Sequence, residues 1–208
     1  MALTKIKICG IKTMADVLAM NEVKPDYAGF VFAQSSRRIS EELASELQQQ
    51  LAPGIVPVGV FVNEDREKIL RLCKRKIIEI IQLHGEEDNE YIAFLKNRVQ
   101  NPVIKAARVR SVEDIHRAGT LKSEYLLLDA YHEGEYGGSG VKFDWSLIPA
   151  IEKPFFLAGG INSSNVLDAI QRYQPYGIDV STGVETEGSK DPVKLRRLAQ
   201  LIRDIGEG

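Results

Sequence analysis

Cys9 and Asp129 are the two side chains of this sequence that are best placed for proton transfer. Cys9 ends an apolar run at residues 6–9, and a free thiol has a pKa of about 8.5, near enough to neutral for acid–base chemistry. Asp129 directly follows three leucines, where partial desolvation would raise the pKa of its carboxyl group and favour a general acid. The structural alternatives are a packed cysteine and a carboxylate that caps the following loop.

Two glycine-containing segments are suited to binding an anion. Gly159 and Gly160 stand between an apolar run and a helical pattern, where bare backbone and helix N–H groups can approach a phosphate. Ser181 and Gly183 follow the next apolar run and offer hydroxyl and N–H donors. Each glycine alone is equally consistent with a tight turn, but the two segments together favour a phosphate site.

Four further side chains have less certain roles. Arg37 and Arg38 follow the second apolar run, and a guanidinium can hold a carboxylate or phosphate by two parallel hydrogen bonds. Arg38 is interpreted as a solvated surface residue. His84 follows the fourth run and is either a site residue or a hydrogen-bonded loop residue. Lys7 lies inside the first run, and the sequence leaves open whether it points into the protein or lies near an edge.

The elements that must position these groups follow a repeating pattern. Eight short apolar runs alternate with helical patterns; several runs are almost continuously apolar, which is typical of parallel strands buried on both faces. This alternation predicts an α/β fold, a single-domain (β/α)₈ TIM barrel over residues 1–208 with short loops, since the mean is 26 residues per unit. An open doubly wound sheet is the alternative, disfavoured because no G-x-G-x-x-G follows the first run. The eight runs are residues 6–9, 27–32, 57–62, 77–81, 103–106, 125–128, 155–158 and 177–180.

Composition excludes several classes of protein. The formal net charge is −2, with 27 basic and 29 acidic residues, so nothing indicates a nucleic-acid or membrane partner. Two distant cysteines, Cys9 and Cys73, give no disulfide framework and no metal-binding pattern, and Cys73 lies on the apolar stripe of a predicted helix. With no secretory signal and no long apolar segment, we expect a cytoplasmic protein.

The motifs, taken in order along the whole chain, resemble those of the phosphoribosylanthranilate isomerase family of tryptophan biosynthesis. Any one of them is weak alone, whereas KICG at the start together with QLHG and DVSTGVE is a specific combination. The matching segments are residues 7–11, 29–32 with Ser35 and Arg37, 59–63, 82–85, 127–129, 137–140 with 143–145, 157–161 and 179–185.

The resemblance implies a fold, a reaction and a set of roles. The expected reaction is an Amadori rearrangement of an aminoaldose phosphate to an aminoketose, in a barrel that needs no cofactor. Cys9 is then the general base, Asp129 the general acid, and Arg37 the anchor of the anthranilate carboxylate. The same resemblance implies a phosphate cradle and weaker roles near the ribose: Gly159, Gly160, Ser181 and Gly183 form the cradle, and His84 and Asp179 lie near the ribose or support the site.

Some alternatives stay open. A one-residue shift in register would select Arg38 in place of Arg37, and the family often has proline where this chain has Ser36. The related aminoaldose isomerase of histidine biosynthesis is disfavoured, because a cysteine stands where that family is expected to have an aspartate. A second activity on that substrate is left open, as is a catalytically silent phosphosugar-binding barrel. Residues 134–140 are read as a lid or a simple crossing, and a monomer is preferred without being required.

Overall fold

Eight parallel strands close into a barrel in the order β1 to β8, each strand paired with the next and β8 with β1. The structure is a computed structural model that describes residues 3–130 and 144–205. It confirms the predicted (β/α)₈ architecture. The strands are β1 (Lys5–Cys9), β2 (Tyr27–Val31), β3 (Val56–Phe61), β4 (Ile80–Leu83), β5 (Val103–Val109), β6 (Tyr125–Ala130), β7 (Phe155–Leu157) and β8 (Gly177–Val180).

Helices on the outside of the barrel connect successive strands. Their starts follow the expected capping chemistry: the Ser40 side chain accepts a hydrogen bond from the Leu43 N–H, and Asp191 caps α7 directly before Pro192. The helices in the described part of the chain are α1 (Met14–Val23), α2 (Glu41–Gln48), α3 (Arg66–Lys74), α4 (Asn89–Lys96), α5 (Val112–Gly119), α6 (Val166–Tyr173) and α7 (Pro192–Asp204).

Two apolar layers hold the barrel together. The larger core lies between the strands and the helices, and a smaller one fills the barrel interior with residues such as Val58, Leu127 and Phe156. Side chains alternate between these layers along each strand, because successive residues of a strand point to opposite faces. Cys73 is buried in the outer core on α3, which confirms its predicted packing role.

One local prediction, the start of the fourth strand, needs correction. The fourth strand begins at Ile80, later than the apolar run at 77–81 predicts. Ile77 and Ile78 precede the strand and are buried in the outer core. Helix α6 begins directly after its N-cap residue, Asn165. In the described part of the connection from β6 to β7, the chain forms a 3₁₀ turn at Trp145–Leu147.

Two other predictions reach beyond the described residues. The segment 134–140 lies outside them, and the prediction of one domain over residues 1–208 stays a prediction. In the part of the chain that is described, no helix is long and apolar enough to cross a membrane.

Candidate active site

A cavity opens at the carboxyl ends of the barrel strands. Its volume is about 730 Å³, which includes the solvent space at its mouth. Parallel strands bring their carboxyl ends to one rim, so side chains distant in sequence meet there. Its polar lining comes from six of the eight strands or the loops that follow them: Cys9, Ser35, Arg37, Gln82, His84, Asp129, Gly159, Gly160, Asp179, Ser181 and Thr182.

Cys9 is the last residue of β1 and is only partly buried, so its thiol faces this cavity. Its register partner on β2 is Gly29, where an added Cβ would lie 2.8 Å from the Cys9 Sγ. A larger residue at position 29 would therefore displace the sulfur. Burial raises the pKa of the Cys9 thiol, and the charges of Lys7 and Lys190 oppose that shift.

Asp129 projects from the end of β6 and is 7% exposed. One carboxylate oxygen accepts a hydrogen bond from the Ala130 N–H at 2.8 Å, which fixes its rotamer. The other lies 3.5 Å from the His84 Nε2, and the His84 Nδ1 lies 3.1 Å from the Gln82 Nε2. His84 thus belongs to a buried row of polar groups from β4 that ends at Asp129.

Arg37 lines the cavity and is held there by Glu185. The guanidinium donates two hydrogen bonds to the Glu185 carboxylate, and Lys190 donates a third at 2.6 Å. Burial alone would raise the pKa of Glu185, but these two cations outweigh it and hold the pKa at about 2. Arg38, in contrast, is exposed and hydrogen bonds to Gln34. Of the two neighbouring arginines, the structure therefore brings Arg37 to the cavity.

The glycine pair after β7 adopts left-handed backbone conformations, with φ of 78° at Gly159 and 69° at Gly160. These angles would strain an L residue with a side chain. An added Cβ on Gly159 would lie 3.3 Å from an Asp129 carboxylate oxygen, so this glycine also leaves room for Asp129. Within the described residues, the Gly160 N–H donates no hydrogen bond to the protein, which leaves it available to an anion.

The segment after β8 faces the glycine pair. Ser181 and Thr182 line the cavity, and the Ser181 hydroxyl donates a hydrogen bond to the Cys9 carbonyl oxygen at 3.1 Å. Gly183 is placed behind them, where an added Cβ would overlap the carbonyl oxygen of Ile161. The absence of a side chain here lets the two loops pack closely together.

Asp179, at the end of β8, completes the floor of the cavity. Its carboxylate accepts a hydrogen bond from the Lys7 ammonium at 2.8 Å, and the two residues are register partners on β8 and β1. Among the described residues, no group of three or more His, Cys, Asp or Glu side chains is arranged to hold a metal ion.

Sequence reasoning missed several of these residues. Gln82 and Glu185 stand inside the quoted motifs, but neither received a role. Lys190 lies in a short hairpin formed by β9 (Glu185–Thr186) and β10 (Ser189–Lys190), and no local pattern indicates that its side chain turns back to the site. Thr182 likewise stands inside a quoted motif and received no role of its own.

The chain is similar to known proteins over nearly its whole length. Residues 6–201 match the model of the N-(5′-phosphoribosyl)anthranilate (PRA) isomerase family. An N-(5′-phosphoribosyl)anthranilate isomerase from Endomicrobium trichonymphae is 46% identical over 201 residues, covering 97% of this chain and 99% of the relative. One from Acetivibrio thermocellus is 41% identical, covering 99% of both chains.

Solved structures give the same result. The crystal structure of phosphoribosyl anthranilate isomerase from Thermotoga maritima superposes with a TM-score of 0.87 at 37% identity, covering 97% of this chain and all of that one. A phosphoribosyl anthranilate isomerase in complex with reduced 1-(o-carboxyphenylamino)-1-deoxyribulose 5-phosphate gives 0.84 at 36% identity, with the same coverage.

Proposed function

The chain belongs to the N-(5′-phosphoribosyl)anthranilate isomerase family, an enzyme family of tryptophan biosynthesis, and we propose that Cys9 and Asp129 carry out its reaction by acid–base catalysis. The observation that carries this proposal is that a thiol from β1 and a carboxylate from β6 open onto one cavity. Both are groups that can exchange protons near neutral pH when their surroundings are suitable.

The reaction needs an acid first and a base second. Asp129 protonates the ring oxygen of the ribose as the C1′–O bond breaks, and the nitrogen lone pair forms a Schiff base to C1′. That cation acidifies the neighbouring C2′–H, so Cys9 as thiolate removes the proton and an enolamine forms. Return of a proton to C1′ and loss of one from the C2′ hydroxyl give the aminoketose, so no cofactor and no net proton are consumed.

The two ends of the substrate are anionic, and the site offers donors for each. We assign the phosphate to Gly159, Gly160, Ser181 and Gly183, supported by the left-handed glycines and by the Gly160 N–H, which has no acceptor among the described residues. The cradle is formed by the loops after β7 and β8, a recurrent phosphate site of this fold.

Arg37 is assigned to the anthranilate carboxylate. Glu185 occupies its Nε–Nη2 edge, which leaves the edge formed by the two terminal nitrogens for a second carboxylate. His84 and Asp179 are assigned to the ribose region, supported by their places beside Asp129 and beneath the cavity.

The direct test is a fluorescence assay with freshly generated phosphoribosylanthranilate. We expect the anthranilate fluorescence to fall in proportion to enzyme concentration, without added metal or cofactor. The histidine-pathway aminoaldose serves as the second substrate, and we expect it to react more slowly. No loss of fluorescence at high enzyme concentration would refute the proposed function for this chain.

We propose a phosphosugar as the partner of this chain, and a cytoplasmic location, with no nucleic acid or membrane involved. The near-neutral charge supports this, because a small anionic ligand is then held by a few local donors and not by a general positive field.

A further inference from the structure

Lys7 is an ammonium group at the centre of the barrel with no exposed surface. It stands two residues before Cys9 on β1, and residues two apart on a strand point to the same face. The side chain therefore enters the barrel interior directly below the thiol. Its Nζ lies 2.8 Å from the Asp179 Oδ1, so Lys7 and Asp179 form an ion pair that is the floor of the cavity.

Filling a barrel interior with an ion pair carries a large desolvation cost. Removing two charges from water costs several kcal/mol per ion, and apolar side chains of similar volume often replace such a pair without loss of stability. The layer below already holds apolar side chains such as Val58, Ile104 and Leu127. The Lys7–Asp179 pair is therefore better explained by its position next to the reacting groups than by its contribution to stability.

The charge that Cys9 must carry explains this position. As a base, the thiol has to become a thiolate in a site whose burial opposes that charge. The charged groups that face it are Lys7 on its own strand, Asp179 on β8, Lys190 on β10 and Arg37 after β2. Lys7 counters burial more strongly than Lys190 does, whereas Asp179 adds to the effect of burial.

We propose that Lys7 is a positioning residue whose ammonium, held under the cavity by Asp179, is the counter-ion that stabilises Cys9 as a thiolate. This rests on the proposed function for the assignment of Cys9 as the base. Asp179 in turn keeps Lys7 protonated: burial alone would lower the pKa of Lys7, but Asp179 and the Cys9 thiolate outweigh it and raise that pKa.

The test measures the thiol itself, by the pH dependence of alkylation with iodoacetamide in a Cys73→Ala background. Cys73 is buried and its pKa is raised to about 12 by burial, so little background reaction is expected in any case. Lys7→Met keeps the length of the side chain and removes its charge. We expect the midpoint for Cys9 to move up by about one pH unit, which slows alkylation at pH 7.5 about tenfold.

Two further variants make the test specific. Lys7→Gln removes the charge but keeps a hydrogen-bond donor for Asp179, and it should move the midpoint up as Lys7→Met does. Lys5→Met is the matched control, since Lys5 lies on the same strand and pairs with Asp26 at the protein surface, 41% exposed. It should leave the midpoint unchanged. Lys7→Met should also lower kcat more than it raises KM, and should shift the rising limb of the kcat–pH profile to higher pH.

An unchanged alkylation midpoint in a folded Lys7→Met variant would overturn the proposal and leave Lys7 a purely structural partner of Asp179. If Lys7→Met does not fold, Lys7→Gln decides, because an unchanged midpoint in that folded variant equally contradicts the proposal. Iodoacetamide reports on the thiol whether or not the chain turns over substrate, so failure of the isomerase assay is a separate result.

Discussion

The Arg37 guanidinium and the Glu185 carboxylate meet in a two-pronged contact, with Nε–Oε1 at 2.9 Å and Nη2–Oε2 at 2.7 Å. Arg37 follows β2 and Glu185 follows β8, so the contact closes one side of the cavity mouth. The Arg37 side chain also passes over Gly10, where an added Cβ would overlap the Arg37 Cδ. The direction of the guanidinium is thus set by residues of three loops, which is how a rigid anchor for a carboxylate is built.

Glu185→Gln tests this anchoring. The neutral amide accepts only one of the two hydrogen bonds from Arg37, and it no longer balances the positive charge of Lys190. The Arg37 guanidinium is therefore held less firmly in one orientation. Hydrogen bonds to charged groups are worth about 1.5–3 kcal/mol, and we expect KM for phosphoribosylanthranilate to rise about tenfold, with a smaller fall in kcat. Steady-state kinetics measure both.

Glu41→Gln is the matched control for that substitution. Glu41 makes a similar two-pronged contact with Arg71, which is half exposed and lies on the outer helices. Its kinetics should equal those of the wild type. An unchanged KM in Glu185→Gln would show that Arg37 does not depend on Glu185 for substrate binding.

Asp129→Asn keeps the shape of the side chain and the hydrogen bond from the Ala130 N–H, but it removes the proposed proton donor. We expect kcat to fall by at least about 10², the usual size of an acid–base contribution. Asp168→Asn on the surface of α6, where Asp168 pairs with Arg172, is the control and should be fully active. Wild-type turnover in Asp129→Asn would place the general acid elsewhere.

Gly183→Ala tests the packing of the two loops to which we assign the phosphate. The new Cβ would overlap the Ile161 carbonyl oxygen, so the loop after β8 must shift. Overpacking of this kind costs about 1–3 kcal/mol, and we expect a lower free energy of unfolding in urea together with weaker binding of inorganic phosphate by calorimetry. Gly119→Ala, which meets nothing within 4 Å, should change neither. Wild-type phosphate affinity in Gly183→Ala would argue against the cradle.

The depressed pKa of Glu185 predicts a pH dependence of stability. Its folded-state value of about 2 lies below the usual 4.5, so its contribution is fully present above about pH 4.5 and is lost as the pH falls towards 2. The difference in free energy of unfolding between wild type and Glu185→Gln should therefore be larger at pH 6 than at pH 3. Glu46→Gln, on the exposed face of α2, should show no such trend. A difference independent of pH would contradict the ion-pair geometry.

The barrel and much of its site were predictable because the apolar runs indicate both where the strands lie and where each strand ends. Apolar runs separated by helical patterns predicted the eight strands, and polar residues at the ends of those runs predicted the rim. Cys9, Asp129 and His84 all lie there, as expected. A short apolar run predicts that a strand is present better than it predicts where the strand begins. At 77–81 the buried Ile77 and Ile78 extended the run beyond the true start of the strand at Ile80.

What was not predictable depends on contacts between distant loops. The pairing of Arg37 with Glu185 joins residues 148 positions apart, and Lys190 reaches the same carboxylate from a two-stranded hairpin. Such contacts leave no periodic signal in a single sequence. Lys7 is different: its spacing of two from Cys9 placed both on one face of β1, but only the closed barrel shows that this face is the interior.

The kcat of Cys9→Ala on phosphoribosylanthranilate, relative to wild type, tests the central assignment most directly. Cys73→Ala, which removes the packed thiol of α3, is the control for general damage, and binding of the reduced product analogue confirms that the site still forms. We predict a loss in kcat of at least about 10² in Cys9→Ala, with analogue affinity retained and Cys73→Ala active. Wild-type turnover by Cys9→Ala would contradict the assignment of Cys9 as the base.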